Sequence, residues 1–382
     1  MPIVLNGTTG ITTPTYNGST TAEYLVPVTG FKNRIINGDM TIDQRNAGAS
    51  VTIPANAYTY SVDRWFGVCN QASKFSLQQD AGAVTPPVGF NDYLGATSLS
   101  AYSVISTDYF TLGQAIEGFN FADLGWGTAN AKTITLSFWV RSSLTGTFGG
   151  VIQNSAQARA YPFSYTINAA NTWEYETITI AGDTSGTWLT TNGIGARIFW
   201  SLGAGSVQSG TAGAWVGGAP YSVTGATSVV GTNGATFYIT GVQLEKGSNA
   251  TSFDYLPYST ELALCQRYYE TNWAVGYAVG SNIGATVGYA NTAYYTINVA
   301  NGGVMYVNIS FKVPKRTAPT GVMYRYDTGA TGQWAAGQAD ASESFFTASA
   351  RDLNVWGFKA YMNGVNSGFN TSYGFFAASA EL

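Results

Sequence analysis

Apolar and polar residues alternate with period two in several short runs of this chain. Residues 133–141, TITLSFWVR, place Ile134, Leu136, Phe138 and Val140 on one face and Thr133, Thr135, Ser137 and Arg141 on the other. Residues 174–180 and 196–202 read the same way, with Ala196, Ile198, Trp200 and Leu202 sharing a face. In the last third, residues 303–313, GVMYVNISFKV, turn Met305, Val307, Ile309, Phe311 and Val313 inward, and residues 353–361 predict a further strand. Such alternation marks antiparallel strands packed on one side. Seven Asn-Gly pairs, from Asn6 to Asn363, supply turns that need positive φ. Short strands between Gly- and Asn-rich turns predict β-sandwiches.

The alternation breaks once. Residues 236–244 predict a strand that closes the first module, followed by turns at Lys246-Gly247 and Ser248-Asn249. A short extended run then ends at Pro257, and one helix follows. Ser259 is the expected N-cap, Glu261 suits the first turn, and Leu262, Cys265, Gln266 and Tyr269 are spaced for one helical face. The predicted fold is therefore all-β, with an antiparallel β-sandwich over residues 34–256, a connecting helix over 257–271 and a second C-terminal β-sandwich over 272–382. Residues 1–33, rich in Gly, Thr and Asn, read as an extended arm ordered by a partner, with a flexible tail as the equal alternative. No repeat of solenoid period is present, which argues against a long β-helix.

Composition narrows the function classes. Only 10% of the 382 residues are charged while 45% are hydrophobic, so the surface must be polar but largely uncharged. The net charge of −4 and the lack of a basic cluster argue against nucleic acid as a partner. No apolar run is long enough to span a membrane as a helix, and residues 1–10 have no signal-peptide pattern, so export by the usual route is not expected. A particle component released at lysis would reconcile this with an extracellular type of surface. The absence of histidine removes Ser-His-Asp triads and His-ligated metal sites. Cys69 and Cys265 are expected as buried free thiols.

Four segments carry a resemblance: NRIINGDM at 33–40, DRW at 63–65, VQLE at 242–245 and ALCQRYYE at 263–270. Together they resemble bacteriophage tail-fibre and tail-associated structural proteins over residues 33–270. The resemblance implies a jelly-roll domain similar to carbohydrate-binding modules. It also implies a virion component in a phage tail or other external appendage, a homotrimer, attachment to other virion proteins through residues 1–33, and binding of a host-surface polysaccharide. Modules of this kind often hold a calcium ion between first and last strands. Asp39 and Glu245 stand at comparable positions, but Thr240 and Gly241 replace the usual acidic residue of the closing strand, so no metal or other cofactor is expected. Residues 272–382 carry no such signature.

Sugar recognition needs aromatic rings that stack on pyranose faces, beside short polar side chains. Trp65, Trp139, Trp173 and Trp200 lie in or beside predicted strands and are expected in the core, Trp139 least so because it falls on the less apolar face. Loop aromatics are the better candidates: Trp215 and Tyr221 in GAWVGGAPY, Arg159 with Tyr161, and Trp334 in GATGQWAAGQ, with contact to a neighbouring subunit as the alternative role for each. No carboxylate pair stands out for glycoside hydrolysis, and Glu174 and Glu176 on one strand read as a solvated edge. A non-enzymatic role in host recognition is expected first. An architectural head-decoration or baseplate-attachment role comes second, and a surface-polysaccharide depolymerase third.

Overall fold

The computed structural model describes residues 31–283, 303–337, 343–365, 369 and 371–382, and the backbone of 4–6, 10–12 and 293–296. Two compact units result, Met1–Lys32 and Asn33–Leu382. In the first, Val4–Asn6 pairs antiparallel with Gly10–Thr12, so part of the expected extended arm is a short hairpin. Apart from residues 31–33, the rest of that arm lies outside the described residues.

The larger unit begins with a two-sheet, jelly-roll-like sandwich. One sheet has seven strands in the order Val216–Gly217, Arg159–Ile167, Gly146–Asn154, Ile194–Ala204, Tyr109–Glu117, Trp65–Cys69 and Thr59–Tyr60. The other has six: Glu174–Ile180, Ile134–Ser142, Thr236–Lys246, Leu94–Ser98, Phe75–Gln79 and Val51–Thr52. Their facing sides enclose one core that includes Trp65, Leu112, Phe138, Ile152, Trp200 and Ile239. The predicted inward residues Ile134, Leu136, Phe138 and Val140 are all fully buried there. The closing strand Thr236–Lys246 sits in mid-sheet between Ile134–Ser142 and Leu94–Ser98, with a bulge between Thr240 and Gln243. At that bulge Gly241 adopts φ +60°, a left-handed conformation that glycine takes at no steric cost.

The helix spans Tyr258–Gln266 with Pro257, not Ser259, at the N-cap, because the proline's fixed φ already sets the entry into the first turn. Tyr269 is not on it: Tyr269–Thr271 is a strand paired with Thr371–Ser379. The C-terminal module is an eight-stranded sheet in which the central strand Thr371–Ser379 also pairs with Thr320–Tyr324 and Gln333–Gly337. Its apolar side collects Met305, Val307, Ile309, Met323, Phe358, Met362 and Phe376. The strand expected over 353–361 is instead a hairpin, Glu343–Asn354 turning into Gly357–Val365, because Asn354 and Gly357 pair across a two-residue turn. Both cysteines are buried and free.

Candidate functional site

Three of the four segments that carry the resemblance, 33–40, 63–65 and 263–270, converge on a buried polar joint rather than on an open surface. Asn37, at φ 58°, holds the backbone of Ile42 and Asp63 through its side-chain amide at 2.9 Å, and its carbonyl accepts the Trp65 indole N–H at 2.8 Å. Gly38 lies so close to the closing strand that a Cβ would meet the Val242 carbonyl oxygen at 2.2 Å, so the NGD turn requires glycine there. Arg64 donates to the Ala115 carbonyl at 2.6 Å, ion-pairs with Glu381 and lies 3.6 Å from the Tyr268 ring centroid. Arg45 binds the same Glu381 at 2.5 Å and covers Tyr269. Glu117 accepts from both Arg267 and the Tyr268 hydroxyl, and Lys315 pairs with Glu270 at 2.6 Å, both fully buried. DRW and QRYYE therefore bolt the sandwich to the C-terminal module and to Glu381. Burial pushes Asp63 up to about 7, against the opposing pull of Arg45 and the Gln44 amide.

The loop candidates divide. Arg159 and Tyr161 lie in the strand Arg159–Ile167 rather than in a loop, and they meet Trp215: the Tyr161 and Trp215 rings are 5.2 Å apart, and Arg159 lies 6.0 Å from the Trp215 ring. Arg159 and Trp215 are both held by partners within the protein. Arg159 makes two hydrogen bonds to Asp183 at 2.8 and 2.7 Å, which hold its pKa up. The Trp215 indole donates to the Ala181 carbonyl at 2.8 Å, and its ring packs edge-on against Trp126 and Trp188. Tyr221 belongs to a different cluster, stacked on Tyr109 at 4.3 Å. Trp334 is not in a tip loop. It lies in strand Gln333–Gly337, 0% exposed, with its indole on the Phe375 carbonyl and its ring over Gly374, where the absence of a Cβ makes room. A side chain so enclosed is core, and Trp334 is withdrawn as a ligand contact.

The open aromatic site lies elsewhere, on the outer face of the six-stranded sheet. There Trp139 and its cross-strand partner Tyr175 form one wall, with rings 5.3 Å apart. Phe90, Phe253 and Tyr255 form the other, with Phe90 5.2 Å from Phe253 and 5.5 Å from Tyr255. Between them runs a cavity of about 560 Å³ whose lining includes Ser137, Thr251, Ser252 and Gly241. Tyr175 is 45% and Tyr255 54% exposed, so the walls present rings to solvent. Gly241 makes the floor: a Cβ at this bulge would come within 2.6 Å of Phe90 and 3.1 Å of Trp139. Trp139 thus leaves the core in which it was expected, whereas Trp65 and Trp200 are buried there; Trp173 is only half-buried, its indole on the Thr85 carbonyl.

The second wall is tied down by the VQLE motif. Gln243 accepts from the Asp254 amide at 2.9 Å and donates toward the Thr251 and Ser252 carbonyls. Glu245 accepts from the Thr251 amide and hydroxyl, each at 2.8 Å, and from Gln243 at 2.9 Å. These two side chains clasp residues 251–254 onto the sheet and so place Phe253 and Tyr255. Glu245 is therefore a clasp, and among the described residues no group of three or more Asp, Glu or Cys could hold a metal ion. The lining of the groove contains no carboxylate.

No protein-family model matches the chain, and no curated protein sequence matches it. Solved structures do show likenesses. The enzymatically active domain of tailspike protein 4 from bacteriophage CBA120 is 12% identical over 56% of this chain and 21% of its own, with a TM-score of 0.30. A family 11 carbohydrate-binding module from Clostridium thermocellum, in complex with a β-1,3-1,4-mixed-linked tetrasaccharide, is 12% identical over 53% of this chain and 98% of its own, with a TM-score of 0.27. TmCBM61 in complex with β-1,4-galactotriose is 10% identical over 48% and 88%, with a TM-score of 0.24. Overlaps this weak leave the function to be read from the site itself.

Proposed function

We propose that this chain is a non-enzymatic saccharide-binding protein whose binding site is the groove between Trp139–Tyr175 and Phe90–Phe253–Tyr255. The observation that carries the reading is the groove's composition: two exposed aromatic walls around a cavity of about 560 Å³, edged by the hydroxyl residues Ser137, Thr251 and Ser252. That volume lies within the usual range for ligand sites. A pyranose offers a face of C–H groups to a ring and a rim of hydroxyls to short polar side chains, and this arrangement supplies both partners. Hydrolysis would require two carboxylates flanking the scissile bond. The groove's lining offers none, and Glu174 is engaged by the amides of Asn168 and Ala169 at its strand's edge.

The finer reading, a trimeric tail fibre or related virion appendage attached through residues 1–33, rests on the resemblance of residues 33–270. Weak single-site binding would then be strengthened by several copies on one particle. A second reading is favoured by one observation: the resembling segments 33–40, 63–65 and 263–270 all serve the joint, which suits a purely architectural appendage. The test is saturable binding of labelled full-length protein to candidate host cells, with their extracted surface polysaccharide as competitor, beside sedimentation of the free protein. Competition that is lost in Trp139→Ala, in a protein sedimenting as a trimer, supports recognition by an appendage. A well-folded oligomer that binds no cells leaves the architectural reading.

A further inference from the structure

The C-terminal module has a second aromatic site, which the resemblance does not reach. The turn between Glu343–Asn354 and Gly357–Val365 carries Trp356, which is 67% exposed. Its backbone is nonetheless fixed. The Trp356 carbonyl accepts from the Phe311 amide at 2.9 Å, the Val355 carbonyl from the Lys315 amide at 2.8 Å, and the Trp356 amide donates to the Asn354 side chain at 2.8 Å. A large ring held out to solvent on a pinned turn loses little freedom when a ligand stacks on it. Beside it is a shallow cavity of about 350 Å³ lined by Asn308, Ser310, Asp352, Asn354, Trp356 and Lys359.

The outer face of the sheet continues this surface. Strand register places Asn308 beside Lys359, Lys359 in turn beside Arg351, and Tyr306 beside Tyr361. The Tyr306 and Tyr361 rings are 5.3 Å apart, and the Arg351 guanidinium lies 3.5 Å from the Tyr361 centroid. Asp352 is paired with Lys359 at 2.8 Å. Arg351 forms no ion pair among the described residues, so this face carries two cations against one carboxylate in a chain of net charge −4. Along a strand, the four residue steps from Tyr306 to Ser310 span about 13 Å, room for more than one sugar ring.

The geometry points to a second saccharide site here, independent of the groove. It takes an acidic glycan: Trp356 stacks on one ring, Asn308, Ser310 and Asn354 meet hydroxyls, and Arg351 receives a carboxylate. The cation stacked on Tyr361 keeps its planar N–H edge directed for such a group.

The test uses the full-length chain on an array of neutral saccharides and of saccharides bearing uronic or sialic acids. Calorimetry follows on the best acidic binder, with wild type, Trp356→Ala, Arg351→Gln and Trp139→Ala. The expected result is binding to acidic saccharides that falls about tenfold or more in Trp356→Ala. Arg351→Gln and added salt should weaken it, and Trp139→Ala should leave it unchanged. Failure of the groove reading alone would appear as neutral-saccharide binding that survives Trp139→Ala, with the Trp356 effect on the acidic binder intact. The inference is overturned by an array with no acidic binder, by equal affinity for neutral and acidic saccharides, or by binding indifferent to Trp356. It is also overturned if Trp356→Ala converts an oligomer to monomers with saccharide binding retained, which would make this face a contact between copies.

Discussion

The joint and the groove are built from opposite materials. The joint buries charge: Arg64, Glu117, Glu270 and Lys315 are all nearly inaccessible, and each is tied to a partner from a distant part of the chain. The groove exposes rings and uses neutral hydroxyls and amides around them. Burying charge demands fixed partners, because an ion left alone in a low-dielectric interior is costly. A site for a neutral, hydroxyl-rich ligand needs no such pairing and tolerates many aromatic and polar choices. The residues forced into one identity, such as Gly38, Asp63, Arg64 and Trp65, therefore stand out as motifs, while the rings of the groove belong to none of the resembling segments and VQLE serves it only by clasping residues 251–254. Sequence likeness in this chain reports on assembly more than on recognition.

That contrast can be broken most forcefully at the joint. Arg64→Ala leaves Glu381 buried against Arg45 alone and removes the cover of Tyr268, so it should cost about 3–5 kcal/mol, read as a large fall in the denaturant midpoint. Trp334→Ala should destabilise by a similar amount, about 3–5 kcal/mol, with saccharide binding at the groove unchanged in whatever fraction stays folded. A Trp334 variant that is stable but fails to bind glycan would restore it as a contact residue.

The groove should respond in the reverse sense. Trp139→Ala removes one half-buried wall ring and should weaken saccharide binding about tenfold or more, with a melting temperature close to wild type. Gln243→Leu releases residues 251–254 without touching a ring that contacts the ligand. Faster proteolysis between residues 247 and 256, together with reduced affinity, is the expected outcome. If affinity falls with no change in proteolysis, Gln243 is a contact and not a clasp.

The smallest effect is a pH dependence. Burial raises Asp63 to about 7 in the folded protein, above its ordinary value near 4. The folded state then holds a proton that the unfolded state has released, so this residue favours folding at low pH and its contribution is lost as pH rises from about 4 through about 7. Arg45 opposes the shift, while Glu381 and Asp43 reinforce it. Melting curves across that range should show a steeper decline in wild type than in Asp63→Asn. Identical slopes would mean that Asp63 is ionised throughout and paired with Arg45.

Much of this was legible in the order of residues. Period-two runs located Ile134–Ser142, Glu174–Ile180 and Ile194–Ala204 to within two residues, and the alternation of TITLSFWVR already placed Trp139 on the face away from the core. Alternation is a local property, fixed by the backbone's two-residue repeat. What covers each face is not local. Trp334 looked like a loop residue among glycines, yet it is buried because Thr371–Ser379, some forty positions later, pairs beside it. Its place in a strand suggests core for Trp139 despite that less apolar face, yet the ring borders open space opposite the clasped segment 251–255 and Phe90. The hairpin at 354–357 was misread as one strand because a two-residue turn with Trp356 in it breaks no apolar pattern. The sequence by itself determined the main strands of the sandwich, their inward faces and the presence of the short helix. Only the tertiary structure decided which rings meet water, because exposure depends on contacts between segments that the chain brings together after their own geometry is set.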